Sequence, residues 1–300
     1  MPPLLEAKGL TKRYGNIIAL ESVDFQVHEG ITGLLGHNGA GKSTAIKLFL
    51  GLLQPTSGSA EVMGQKAHES VEIRARLGYM PEHDCLPAHS TASEFLTHMA
   101  QVSGLPPSFA RTRAADVLRH VGLAEERYRS IGNFSTGMKQ RVKLAQALVH
   151  DPAVALLDEA TSGLDPSGRE EMLDLIRRTG KEFGISILLS SHLMGDIERT
   201  CDNIIVLDGG HIGEVGEVSS FTQETQSIVI EVDRNIEDLV RILIQNNVRA
   251  ATDGPLVVVE LEQEEQYDII RDAVVDADAS LRRLAPRRRG LADIFRGAHQ

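Results

Sequence analysis

Short apolar runs alternate with amphipathic segments over most of this chain. Three runs, at residues 31–35, 153–157 and 185–189, are apolar at nearly every position, which is typical of strands that helices cover on both faces of a parallel sheet. Residues 4–13, 18–27 and 59–64 alternate more and predict a small antiparallel sheet beside the main one. Residues 4 to about 222 are therefore predicted to form a mixed α/β domain with a largely parallel central sheet.

Between about 90 and 150 the pattern becomes helical. Ser90 and Thr91, followed by Glu94, resemble a capping box, and the pair Pro106-Pro107 separates this helix from another at 108–120. A further helix is expected at 136–149. These helices predict a helical subdomain inserted in the α/β domain.

After residue 222 the order of elements changes. We predict a strand at 227–232, a helix at 235–246, strands at 248–252 and 255–261, a helix at 263–276 and a strand at 280–284, with Asp253-Gly254-Pro255 as the turn between the middle strands. This βαββαβ order matches a ferredoxin-like unit. The expected domains are 1–224 and a small α+β accessory domain, 225–300. The second is expected to support stability or dimerisation, with a sensor of substrate or ion as the alternative.

Composition narrows the class of protein. The chain has 300 residues, of which 42% are apolar and 24% charged, and its formal charge is −11. A nucleic-acid partner is not expected, because only residues 281–300, with six Arg against one Asp, offer a basic patch. That patch either lies against anionic lipid or is simply solvated. The apolar runs are too short to cross a bilayer. No secretory signal is recognised, and Cys85 and Cys201 lack disulfide or zinc spacing, so a cytoplasmic location is expected.

A phosphate-binding motif follows the first buried run. Residues 36–44 fit G-x-x-x-x-G-K-[ST] between a predicted strand and a predicted helix. Its glycines allow consecutive N–H groups to face one anion, and the helix directs its positive end at the same point. Lys42 is expected to neutralise the β- and γ-phosphates and Ser43 to bind Mg²⁺. The predicted nucleotide contacts are Gly36, His37, Asn38, Gly39, Ala40, Gly41, Lys42, Ser43 and Thr44.

A second apolar run ends in the adjacent carboxylates Asp158 and Glu159. Alternation along a strand sends them in different directions, so they can do different jobs. Asp158 is expected to hold Mg²⁺, and Glu159 to polarise the water that attacks the γ-phosphate. The residues therefore predict a triphosphate held together with Mg²⁺; the ATP that the family binds is what the resemblance below implies.

Three more motifs complete a family pattern: residues 133–141, Asn-Phe-Ser-Thr-Gly-Met-Lys-Gln-Arg; residues 162–165, Ser-Gly-Leu-Asp; and residues 190–192, Ser-Ser-His. In this order and spacing, residues 4–220 resemble the ATP-binding-cassette (ABC) ATPases, in which these are the signature motif, the D-loop and the switch histidine. The resemblance implies a P-loop fold and a head-to-tail dimer of identical or different subunits. Each ATP then lies between one phosphate loop and the other subunit's signature.

The resemblance also implies individual roles. Ser135 and Gly137 would contact ATP in trans, and Asp165 belongs to the same set of nucleotide contacts. His192 would touch the γ-phosphate and orient the water, which makes Lys42, Glu159 and His192 the catalytic group. Tyr14 would stack on adenine.

The chain departs from the family pattern at four positions. Glu82 replaces the Q-loop glutamine, and its carboxylate can still bind Mg²⁺ or a water on it. Thr136 stands for the usual glycine and Met138 for the usual glutamine, and His37 stands where Pro or Ser is frequent. The signature motif and the pair Pro81-Glu82 resemble the corresponding motifs of one branch of the family. The ATPases of that branch serve separately encoded export permeases for drugs, lipids or polysaccharides. Residues 291–295, Leu-Ala-Asp-Ile-Phe, resemble a segment of that branch.

The resemblance implies the ATPase subunit of an ABC exporter, held on the cytoplasmic face of the membrane by a transmembrane permease that meets the Q-loop and residues 84–130. A soluble ABC ATPase of DNA repair or translation is the alternative. Only about 90 residues separate Lys42 from Ser135, too few for the long coiled coils of repair members, and one cassette is present. Intact Lys42, Asp158, Glu159 and His192 argue against a regulator that binds ATP without turnover.

Overall fold

The computed structural model describes residues 2–221, 224–254, 256–261 and 266–288. It divides into two compact units, Met1–Val218 and Ser219–Gln300. The predicted boundary, between residues 224 and 225, lies six residues after the division between these two units. Residues 222–223, next to it, are outside the described ranges, so this boundary stays a prediction. Each unit is described by itself.

The first unit contains strands and helices in alternation. Its strands are β1 (Leu5–Tyr14), β2 (Ile17–Val27), β3 (Ile31–Leu35), β4 (Ser57–Val62), β5 (Gln65–Lys66), β6 (Leu77–Met80), β7 (Val154–Asp158), β8 (Ser186–Ser191), β9 (Asn203–Asp208) and β10 (His211–Glu217). Its helices are α1 (Lys42–Phe49), α2 (Val71–Arg74), α3 (Ala92–Val102), α4 (Pro107–His120), α5 (Thr136–Leu148), α6 (Pro166–Phe183) and α7 (Met194–Thr200), and α8 (Val218–Phe221) follows.

The central sheet has the strand order β10-β9-β3-β8-β7-β6. All neighbours are parallel except β10, which pairs antiparallel with β9. Every residue of β3, β7 and β8 is buried, as expected for strands covered on both faces. The predicted α/β core is confirmed. The apolar pattern missed β6, because this strand has only four residues and includes Gly78 and Tyr79.

A second sheet, β2-β1-β4-β5, is antiparallel and confirms the predicted β subdomain. Its buried side chains pack with those of α1 and the central sheet in one core, in which the rings of Phe25 and Phe49 meet edge to face at 5.7 Å. Helix α1 is therefore held between the two sheets, and its first residue follows directly on the phosphate loop.

Helices α3 to α5 form the predicted helical insertion. The capping box at α3 is present: the Thr91 hydroxyl accepts from the Glu94 N–H at 3.2 Å, and the Glu94 carboxylate accepts from the Thr91 N–H at 2.9 Å. Pro107 begins α4, where its missing N–H costs nothing. Ser135 caps α5 by accepting from the Met138 N–H.

The second unit contains β11 (Glu224–Val232), α9 (Ile236–Gln245), β12 (Ala250–Asp253), β13 (Leu256–Glu260), α10 (Gln266–Asp276) and β14 (Leu281–Arg288). Its sheet has the order β12-β13-β11-β14, and all neighbouring strands are antiparallel. Apolar side chains of β11 and β13 pack against α9 and α10 in a separate core. The classification as ferredoxin-like stays a prediction. Pro255, residues 263–265, Arg289, Arg296 and residues 291–295 lie outside the described ranges.

A helix that crosses a bilayer needs about 20 mostly apolar residues. Within the described ranges, no helix combines the length and the apolar composition that crossing a bilayer requires.

The close packing of β6 on α5 gives a test of the fold. A Cβ at Gly78 would overlap the carbonyl oxygen of Ala147, so Gly78→Ala should lower the free energy of unfolding by about 1–3 kcal/mol. The control is Gly195→Ala on α7, where a Cβ meets no atom within 4 Å and stability should hold or rise by up to about 1 kcal/mol. Urea unfolding followed by circular dichroism measures both, and equal midpoints would contradict this packing.

Candidate functional site

The phosphate loop, residues 36–41, joins the buried end of β3 to the start of α1. Gly39 and Gly41 have φ of 86° and 107°, in the left-handed region that glycine occupies without strain. A Cβ on Gly41 would lie 2.5 Å from the carbonyl oxygen of Ala19. The loop therefore needs glycine at position 41, both for its backbone conformation and for the space beside β2.

A cleft of about 350 Å³ opens at this loop. Most of its lining comes from residues that the sequence selects: Asn38, Gly39, Gly41, Lys42, Ser43, Thr44, Glu82 and Glu159, with Ala19 as an addition. Thus the loop, the segment after β6 and the segment after β7 meet at one place, at the carboxyl ends of the parallel strands, where α/β sheets commonly bind ligands.

Lys42 brings the cationic charge to the cleft. Its side chain is only 6% exposed, and its ammonium donates to the carbonyls of Gly36 at 2.7 Å and His37 at 3.2 Å. The same Nζ lies 3.2 Å from Oε1 of Glu159. The ammonium is therefore held between the phosphate loop and a buried carboxylate.

Asp158 and Ser43 form the candidate Mg²⁺ ligands. The Ser43 hydroxyl donates to Oδ1 of the buried Asp158 at 3.2 Å, and the Ser190 hydroxyl donates to the same oxygen at 2.7 Å. Among the described residues, no group of three or more His, Cys, Asp or Glu side chains forms a metal site. One carboxylate and one hydroxyl nevertheless fit Mg²⁺, because this ion usually takes few protein ligands and completes its shell with phosphate oxygens and water.

Glu159 is oriented by several contacts. Its backbone N–H donates to the Ser190 hydroxyl at 3.0 Å, and its φ of 47° is left-handed, a conformation that costs about 1–3 kcal/mol outside glycine. The side chain is about nine-tenths buried, with Oε2 at 2.8 Å from Nδ1 of His192. Within the described chain, Oε1 has no hydrogen bond, although the Lys42 ammonium faces it. His192 thus holds Oε2, while the buried Oε1 faces the Lys42 ammonium.

His192 is partly exposed, next to this carboxylate. Because an ionised carboxylate oxygen only accepts, Nδ1 is the donor in this 2.8 Å contact. The predicted pair of Glu159 and His192 is therefore brought together in one chain.

Other predicted residues lie away from the cleft lining. The His37 ring contacts Oδ1 of Asp208 at 3.0 Å, and Gly36 and Ala40 lie within the loop without lining the cleft. Tyr14, at the end of β1, is 44% exposed, with the Lys12 ammonium 5.2 Å from its ring centre.

The residues expected from the dimer also lie outside the lining. Ser135 and Gly137 are at the start of α5, and Asp165 caps α6 by accepting from the Gly168 N–H at 3.3 Å. A single chain does not test contacts in trans, so these roles stay predictions.

Sequence reasoning missed two residues of the site. Ser190 belongs to the switch-histidine motif, but its role depends on its pairing opposite Asp158 across β7 and β8. Lys143, buried on α5, contacts the Glu82 segment. Burial lowers the pKa of Lys143, and burial raises the pKa of the nearby Tyr79 to about 12. The only sequence feature that could have pointed to Lys143 is the presence of a lysine at a helix position where the pattern favours an apolar residue.

Comparisons with known proteins point to one family. A family model described as "ABC transporter" matches residues 20–162. The bacitracin transport ATP-binding protein BcrA of Bacillus licheniformis is 39% identical over 71% of this chain and 70% of its own length. The methionine import ATP-binding protein MetN 1 of Acinetobacter baylyi is 36% identical over 77% of this chain and 68% of its own.

A solved structure of an ABC transporter component has a similar fold. CbiO1 from Clostridium perfringens, described as part of the ABC transporter complex cbiONQ, superposes with a TM-score of 0.68 at 28% identity. The match covers 73% of this chain and 90% of that one.

The bridging position of Ser190 gives a test of the site. Removing its hydroxyl takes one partner from Asp158 and one from the Glu159 N–H, so Ser190→Ala should lower the rate of Mg²⁺-dependent ATP hydrolysis by about 10- to 100-fold. Phosphate release measures this rate. Ser186→Ala, at a buried serine of the same strand, is the control and should keep most of the activity. Equal rates in the two variants would show that the Ser190 bridge is dispensable.

Proposed function

We propose, since this chain belongs to the ABC transporter family of ATP-binding proteins, that Lys42, Asp158, Glu159 and His192 hydrolyse ATP to drive a separate transmembrane permease. As a member of the family, the chain binds ATP with Mg²⁺ and hydrolyses it. The observation that carries the residue assignment is the buried Glu159 carboxylate between the Lys42 ammonium and the His192 ring, at the edge of the phosphate-loop cleft.

The phosphate loop and Lys42 bind the phosphates. The N–H groups of Asn38, Gly39, Ser43 and Thr44 offer donors to the phosphate oxygens, and the N-terminus of α1 adds its partial positive charge. The Lys42 ammonium balances charge on the β- and γ-phosphates. The ammonium donates to two loop carbonyls and lies 3.2 Å from Glu159, which places its charge at the loop where phosphate would bind.

Ser43 and Asp158 would hold Mg²⁺, with Glu82, which also lines the cleft, as a further ligand. When bound, Mg²⁺ offsets charge on the β- and γ-phosphate oxygens. Ser190 keeps Asp158 Oδ1 in a fixed direction by donating to it at 2.7 Å. Ligands held in this way lose little freedom when the ion arrives.

Glu159 is the general base. Its Oε1, which makes no hydrogen bond among the described residues, takes the proton from the attacking water. Its Oε2 is held by His192, whose ring orients the carboxylate and contacts the γ-phosphate. Once Lys42 has phosphate partners, Oε1 is free to accept.

The complete ATP site is expected to need two subunits. Ser135 and Gly137 are exposed or half-exposed at the start of α5, where they can face ATP on a partner in a head-to-tail dimer, identical or not. Asp165 at the start of α6 and Tyr14, against adenine, complete the nucleotide contacts. The exposed N-terminus of α5 supports this arrangement.

The permease places the subunit at the cytoplasmic face of the membrane, and the segment after Glu82 together with residues 84–130 contacts it. We assign the export direction from the Phe-Ser-x-Gly-Met-Lys-Gln-Arg signature and Pro81-Glu82. Relatives differ here, since one is named for bacitracin transport and another for methionine import.

Replacing the base is the direct test. Glu159→Gln keeps the size of the side chain but removes the proton acceptor, so phosphate release should fall by about 100-fold or more, while ATP binding persists. ATP-bound dimers should then accumulate and elute early in size-exclusion chromatography with Mg²⁺-ATP. Glu29→Gln, at an exposed carboxylate ahead of β3, should change neither property. Turnover of Glu159→Gln at the wild-type rate would disprove the assigned base.

The partner is tested by purification from the native membrane. An affinity-tagged chain, solubilised gently, should bring with it an integral membrane protein in fixed stoichiometry, and adding that protein back should stimulate ATP turnover. Recovery of the chain only in the soluble fraction, or with nucleic acid, would contradict a transporter role.

A further inference from the structure

Lys143 is a buried cation that the proposed hydrolysis does not use. It lies on α5, two turns after Ser135, and is 3% exposed. Its ammonium donates to the carbonyls of Pro81 and Glu82, each at 2.8 Å. An ammonium is buried at a high cost unless its donors are satisfied, so these two contacts account for its presence in the interior.

The two contacts fix the backbone at Glu82. One ammonium holds two consecutive carbonyls, which leaves the peptide between residues 81 and 82 little freedom to rotate. The direction of the Glu82 side chain from its Cα follows from that peptide. Because Glu82 lines the cleft, Lys143 determines where its carboxylate can reach.

Besides the Lys143 contacts, helix α5 makes a second contact with a segment beside the cleft. One turn before Lys143, the buried Gln140 donates from Nε2 to the Ser162 carbonyl at 2.8 Å, and Ser162 follows Glu159 by three residues. The helix that begins at Ser135 therefore contacts the Glu82 segment and the segment after Glu159. The outer contact, Lys139 with Asp84 at 3.3 Å, is between exposed or half-exposed groups and should be weak.

We propose that Lys143 is a positioning residue whose ammonium holds the Glu82 segment on α5, so that Glu82 and the signature serine Ser135 move as one body. This proposal rests on the proposed function, because it acts through Glu82 at the ATP site. In the proposed head-to-tail dimer, Ser135 of a subunit faces the ATP of its partner, whereas Glu82 of the same subunit faces its own ATP. A displacement of α5 at the partner's ATP would therefore displace Glu82 at the subunit's own ATP.

The test is a double-mutant cycle in the full-length chain, with kcat, KM for ATP and thermal unfolding measured for each variant. Lys143→Met keeps the length of the side chain but removes charge and donors. It should lower kcat by about 10-fold, as loss of an orienting contact does, and leave KM for ATP within about 3-fold of the wild-type value. Glu82→Ala should lower kcat by a similar factor. The double variant should lose no more than either single variant, because both act on one element. Lys181→Met, at an exposed lysine of α6, is the control and should keep most of the turnover.

Hydrogen exchange gives a readout that does not depend on hydrolysis. Amides of residues 82–86 should exchange at least about 10-fold faster in Lys143→Met than in wild type or Lys181→Met, because the segment loses its attachment. If the wild type shows no turnover while these amides respond, the proposed function fails and the attachment stands. If turnover is present and the amides do not respond, the attachment fails alone.

The cycle also separates positioning from general stability. If Lys143→Met lowers kcat by the same factor in the Glu82→Ala background as in wild type, Lys143 acts independently of Glu82 and the proposal is wrong. Lys143→Gln, which keeps a donor on a shorter side chain, replaces Lys143→Met if that variant does not fold. Failure of both to fold would assign Lys143 a structural role and overturn the proposal.

Discussion

One buried hydroxyl, that of Ser190, organises the whole catalytic end of the central sheet. It donates to Asp158 and accepts from the Glu159 backbone, and it can do both only because parallel pairing brings Ser190 opposite Asp158. The positions of Asp158 and Glu159, the proposed metal ligand and general base, therefore depend on the register of β7 and β8. Core packing that preserves this register supports chemistry many residues away along the chain.

Much of the fold could be predicted because the signals were local. Fully apolar runs marked the buried strands β3, β7 and β8, and alternation marked the antiparallel sheet. The pattern failed at β6, where Gly78 is needed to fit beneath the Ala147 carbonyl and Tyr79 is only partly buried. A strand whose residues are chosen for close approach to a helix carries little hydrophobic signal.

The site was predictable to the extent that its residues are close in sequence. The phosphate loop and the adjacent pair Asp158-Glu159 could be recognised directly, and the structure brings them to one cleft. Ser190 and Lys143 could not be assigned roles, since their contacts join segments that are 31 to 62 residues apart. His37 belongs to the loop by sequence, but its ring pairs with Asp208 on another strand, which spacing alone does not reveal.

The left-handed backbone at Glu159 has a consequence for how this site can vary. Glycine, asparagine and aspartate adopt that conformation most easily, yet none of them extends a carboxylate as far as glutamate. Residues that would relax the backbone at position 159 would therefore remove or shorten the proton acceptor. A substitution at position 159 that relaxes the backbone would therefore remove the proposed general base, which is the trade-off between stability and activity that is common at functional sites.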